Sequence, residues 1–128
     1  MKFIKEYEFK SSPKILFPYI STAEGLQAWF AERADINAEQ IYNFVWEKSD
    51  HLARLVLQKS NKLARFEFLP THEIDQEDPD FIEFKLETSD ITRAVYLSIT
   101  DYSKNTNEHD LHELWDDLVE TLRETVGG

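Results

Sequence analysis

The sequence predicts an α+β fold: a run of antiparallel strands covered by one long C-terminal helix, with two short helices after the first strand. Three observations predict it. Successive segments alternate apolar and polar residues with period two, the mark of half-buried strands. The last twenty-odd residues instead carry apolar side chains at helical spacing. Between the first strand and the rest stand two Ser/Thr signals of helix initiation.

From Phe3 to Phe9, Phe3, Tyr7 and Phe9 alternate with Ile4, Glu6 and Glu8 and read as a strand. Ser12 is placed to cap a helix whose first position is Pro13, where the missing N–H costs nothing. Ile15, Leu16, Tyr19 and Ile20 follow at helical spacing, and Pro18 keeps that helix short or kinked. The run Ser21-Thr22-Ala23-Glu24 fits an S-x-x-E capping box for a second short helix, with Leu26, Trp29 and Phe30 on one face.

Strands are then predicted over 34–37, 41–47, 52–59, 63–69, 81–87 and 94–102, about six or seven with the first. Their one-sided rows are Tyr42/Phe44/Trp46, Ala53/Leu55/Leu57, Ala64/Phe66/Phe68, Ile82/Phe84/Leu86 and Val95/Leu97/Ile99. The short connectors 48–50 and 60–62 imply antiparallel neighbours. The acidic stretch Asp75–Asp80 lacks the glycine and distant Glu of a calcium loop and reads as a solvated turn. After Asn107, a fitting N-cap, Leu111, Leu114, Trp115, Leu118, Val119, Leu122 and Val126 form one apolar helix face that ends at Gly127. A sheet with one apolar face must be covered, and this helix is the element long enough to do it.

At 128 residues the chain has the size of one domain, so a single domain over 1–128 is expected. Apolar residues at 41% and aromatics at 13% suffice for a packed interior and argue against disorder. A formal charge of −11 repels phosphate backbones, and no Lys/Arg-rich run accompanies the aromatic strands, which argues against nucleic acid. Without Cys there are no disulfides or thiolate metal sites. The N-terminus MKFIKEYEFK lacks the apolar core of a secretory signal, and no segment approaches the ~20 apolar residues of a membrane span. The expected location is therefore cytoplasmic.

The stretches SSPKILFPYIS and STAEGLQAWF resemble the helical entry, ending in Trp-Phe, of one branch of the START-like helix-grip (SRPBCC) superfamily, the activators of heat-shock protein 90 ATPase. Residues Ile91–Tyr102, ITRAVYLSITDY, look like that branch's penultimate strand with its leading Thr at Thr92, and LHELWDDLVETL resembles its closing helix with an internal Trp. The similarity spans essentially the whole chain. The branch usually has glycines in its first strand turns, whereas here only Gly25, Gly127 and Gly128 occur, and Asp101 stands where relatives often have His. No chaperone-contacting residue of the activators can be matched onto this chain.

The resemblance implies a helix-grip fold, its sheet curved around the last helix, and between them a cavity for an apolar or amphipathic small molecule. Its walls would be Tyr42, Phe44, Trp46, Phe66, Phe68, Phe84 and Leu97 from the sheet and Leu114, Trp115 and Leu118 from the helix, with Trp29 and Phe30 near the entrance. The competing expectation is that these rings fill the interior, which packs densely in proteins. Tyr42 shares parity with Phe44 and Trp46, so its hydroxyl could orient a ligand, whereas Arg54 and Arg65 fall on the opposite face. His109 and His112 do not form an H-E-x-x-H pair, and no metal or cofactor is expected. No nucleophile–base set or phosphate-binding glycine loop is present, which argues against catalysis, and Asp101 is the carboxylate to inspect for a raised pKa. The second functional expectation is a non-catalytic protein-interaction module, chaperone-linked or homodimeric, with a filled core and a negative field suited to a basic partner.

Overall fold

Strand-forming residues alternate along nearly half the chain, and the computed structural model gathers them into one seven-stranded, curved antiparallel sheet. It describes residues 2–70, 78–104 and 107–128. Strand β1 (Lys2–Phe9) leads to helices α1 (Pro13–Ser21) and α2 (Ala23–Gln27). There follow β2 (Arg33–Ile36), β3 (Ile41–Trp46), β4 (Ser49–Lys59), β5 (Leu63–Phe68), β6 (Phe81–Thr88), β7 (Val95–Tyr102) and helix α3 (Glu108–Val126). The order β1-β7-β6-β5-β4-β3-β2 is a meander whose last strand pairs with the first, so β1 and β2 are its edges. This is the helix-grip α+β arrangement that the sequence predicts.

The inner rows of the strands meet α1, α2 and α3 in one core. Phe44, Phe66, Phe84, Leu97 and Ile99 from the sheet pack with Leu16, Ile20 and Leu26 from the short helices and Trp115, Val119 and Leu122 from α3. Edge strand β1 is tied to α3 by polar contacts. The Tyr7 hydroxyl and Lys5 Nζ both donate to Asp116 Oδ1 at 2.8 Å. Farther along α3, Arg123 donates to the Glu8 carbonyl at 2.9 Å. A charged residue on the covered face of an edge strand also blunts that edge against pairing with another chain.

Four local expectations change. The cap of α2 is Thr22, whose hydroxyl oxygen accepts from Gly25 N at 2.9 Å. Ser21 instead donates to the Phe17 carbonyl inside α1, so no S-x-x-E box forms. Trp29 and Phe30 lie in the turn beyond α2 rather than on its face. The β3–β4 hairpin turns on Glu47-Lys48, both at positive φ, and Trp46 pairs with Ser49, so 48–50 is not the connector. In β4 the register shifts between Leu55 and Leu57, and that bulge leaves Val56 and Leu57 exposed instead of extending the inner row. Of the acidic stretch 75–80, positions 75–77 lie outside the described residues.

Candidate functional site

Helix α1 ends over the sheet, and the chain must turn tightly to start α2. A Cβ on Gly25 would stand 2.0 Å from the Pro18 carbonyl oxygen, so only glycine allows this approach. The turn beyond α2 then drives Trp29 and Phe30 between the sheet and α3. Trp29 Nε1 donates to the Tyr19 carbonyl at 2.8 Å, which fixes the indole. Phe30 stacks on Trp115 of α3, with centroids 5.8 Å apart and planes at 15°, and meets Phe44, Trp46 and Phe84 edge-on. The pair thus closes one end of the core.

On the far side of this closure lies a cavity of about 1070 Å³, open to solvent between the β3–β4 hairpin, the sheet and α3. Seven of the residues expected at such a site line it: Trp29, Phe30, Trp46, Phe68, Leu114, Trp115 and Leu118. The other five, Tyr42, Phe44, Phe66, Phe84 and Leu97, are buried in the core beneath it. The Tyr42 hydroxyl does not reach the cavity, because it donates to the Ser21 carbonyl at 3.1 Å and so satisfies the end of α1. Burial raises its pKa. Leu114 is 49% exposed, and Leu118 is only partly buried, so the apolar face of α3 is wider than the sheet beneath it covers.

Sequence reasoning did not place His51, Leu52, Leu69 or Ile82 on this wall. The parity of β4 held the signal for His51, which pairs with Phe44 and shares the inner face with Ala53. Its ring stacks on Trp46 at 3.8 Å and 12°. The buried Nε2 has no hydrogen-bond partner among the described residues. Desolvation lowers the His51 pKa, so its neutral form is favoured, against smaller opposing effects of the Trp46 backbone, Asp50 and Glu47.

Asp101, at the end of β7, is 4% exposed and lines the same cavity. Trp115 Nε1 donates to Oδ2 at 2.9 Å, and Ser103 Oγ donates to Oδ1 at 2.6 Å. Desolvation nevertheless raises its pKa, the two hydrogen bonds offsetting part of that effect. Lys104 is also on the wall, bonded to the Asp78 carbonyl and paired with Asp80 Oδ1 at 3.3 Å.

The arginines face away, as parity requires. Arg54 is exposed, and Arg65 lies over the Phe81 ring at 3.8 Å with Glu67 and Glu83 at 3.7 Å. His109 and His112 form exposed i,i+4 pairs with Glu113 and Glu108, and no metal-holding group of His and acidic residues occurs among the described residues. Nor, among those residues, is any helix long and apolar enough to cross a membrane.

A family model described as a START-like superfamily domain matches residues 1–128. A Bacteroides fragilis protein of known solution structure is 33% identical, with a TM-score of 0.63 over 98% of this chain and 90% of that one. The Aha1 dimer from Colwellia psychrerythraea is 15% identical, with a TM-score of 0.76 over 98% of this chain and 96% of its own. A Mesorhizobium loti protein is 12% identical, with a TM-score of 0.71 over 98% of both chains. No curated protein matches the chain by sequence.

Proposed function

Since the chain belongs to the START-like superfamily, we propose that it binds an apolar or amphipathic small molecule in the cavity between its sheet and α3, without catalysing a reaction. One observation carries the reading: the cavity of about 1070 Å³ keeps a wall of Trp46, Phe68, Leu114 and Leu118 that the protein's own side chains leave uncovered. Ligand sites typically enclose ~300–1,000 Å³ and are mostly apolar with a few polar groups. Burying the ligand would supply most of the affinity, at ~25 cal/mol per Å² of apolar surface removed from water. Trp29 and Phe30 form the floor that separates ligand from core. The reading takes residues 1–128 as one domain and sets it in the cytoplasm, a reducing compartment that a chain without Cys fits.

Native mass spectrometry of gently isolated protein tests this. A reproducible extra mass of a few hundred daltons, lost in a Leu118→Trp variant, supports the reading. A bare chain together with stoichiometric protein partners overturns it in favour of an interaction module. A doubled mass points to a homodimer. The dimer reported for the Colwellia protein is the observation that favours that second reading.

A further inference from the structure

The charge of the cavity wall limits what it can hold. Glu32, Glu47, Asp50, Asp80 and Asp101 line it, against His51 and Lys104. His51 is held toward its neutral form by burial, and Lys104 is already joined to Asp80 and the Asp78 carbonyl. An anionic headgroup would therefore meet repulsion, whereas a cation would meet carboxylates set beside the rings of Trp46, Trp29 and Trp115.

Asp101 is the group placed to read such a cation. An Asn side chain could accept from Trp115 Nε1 and donate to Ser103 Oγ, so the carboxylate is not needed to satisfy either neighbour. Keeping an ionisable group there disfavours its own charged form. A positively charged ligand would add a counter-charge beside this buried carboxylate and form a charge-assisted hydrogen bond to one of its oxygens, each of which accepts a single side-chain hydrogen bond from Trp115 or Ser103. From this geometry we propose that the ligand is an apolar amine, protonated at neutral pH, whose ammonium group pairs with Asp101 while its hydrocarbon lies along Trp46, Phe68, Leu114 and Leu118. The proposal rests on the reading of the cavity as a ligand site.

The test compares n-octylamine, n-octanol and octanoate, all below their micellar concentrations, by calorimetric titration of the full chain. The amine is expected to bind about tenfold or more tighter than the carboxylate of equal chain length, the worth of one hydrogen bond to a charged group. Asp101→Asn should bring the amine close to octanol and leave octanol unchanged. Asp117→Asn removes an equal charge from the exposed side of α3, outside the cavity, and should leave the preference intact. Octanoate binding as tightly as octylamine overturns the proposal, as does equal loss of amine affinity in the Asp117 and Asp101 variants. If octanol binds and the amine gains nothing over it, this inference falls and the cavity reading stands. If none of the three binds, both fall.

Discussion

At Asp101 the cost of an ionisable group can be separated from the geometry it holds. In the unfolded chain the carboxyl titrates near its ordinary 3.8, and in the folded chain higher, because burial outweighs the two donated hydrogen bonds. A raised folded pKa means stability is fullest below 3.8 and is lost as pH rises through the folded value. Asp101→Asn should therefore match the wild type in strong acid and melt higher at pH 7, as thermal scans across pH would show. His51 has the opposite sign. Its folded pKa lies below 6.5, so wild-type stability falls as pH drops below 6.5, a slope that His51→Asn should flatten. Two of the three tryptophans on the wall also differ. Trp115 is buried and donates to Asp101, so Trp115→Ala should cost about 3–5 kcal/mol in urea unfolding at constant m-value. Trp46 touches the core on one side and the cavity on the other, and its replacement by Ala should cost markedly less.

Among the elements, two turns place the site, and in each the sequence misplaced a boundary by one residue. The α1–α2 turn depends on Gly25, where φ is unremarkable and the demand comes from the Pro18 carbonyl across the turn. Nothing local in the sequence reveals such a close approach, which is why the cap could be assigned to Ser21 when Thr22 holds it. Gly25→Ala should cost about 3 kcal/mol or more, since backbone must move, and should alter Trp29 fluorescence by shifting the turn that carries it. In the β3–β4 hairpin the demand falls on φ instead, and the connector expected at 48–50 sits at Glu47-Lys48. Two-residue turns that match strand twist require positive φ, normally supplied by Asn-Gly, and here Glu47 and Lys48 adopt φ of 52° and 63°. A left-handed conformation costs non-glycine residues roughly 1–2 kcal/mol each, so this rim of the cavity is strained. Replacing Glu47-Lys48 by Asn-Gly should stabilise the protein by about 1–2 kcal/mol in chemical denaturation. Alternation in β3, β5, β6 and β7 was readable because each row has one wet and one dry face. The failure at Leu57 came from a bulge, whose extra residue inverts parity without any Gly or Pro to announce it.

For the whole molecule, the sheet could be read strand by strand, but a cavity is a difference between volumes, and periodicity carries no volume. The apolar row of α3 holds Leu114 and Leu122 alike, and its periodicity does not tell them apart. In the fold Leu122 meets the core and Leu114 stands 49% exposed over open space. Rings sorted likewise, with Phe44, Phe66 and Phe84 beneath the Trp29–Phe30 floor and Trp46 and Phe68 above it. That division implies that the space can be filled without disturbing the core. Leu118 sits on the cavity side of α3 and is only partly buried, so Leu118→Trp would direct its added volume into the opening. Since no packed neighbour must move, the variant should stay within about 1 kcal/mol of wild type in the absence of ligand. A ligand that binds only the folded chain stabilises it by about 2.7 kcal/mol at a hundred times its Kd, so octanol should raise the wild-type Tm measurably. In Leu118→Trp that rise should vanish while the unliganded Tm holds. A Tm increase that persists in the variant would place the bound molecule elsewhere on the protein.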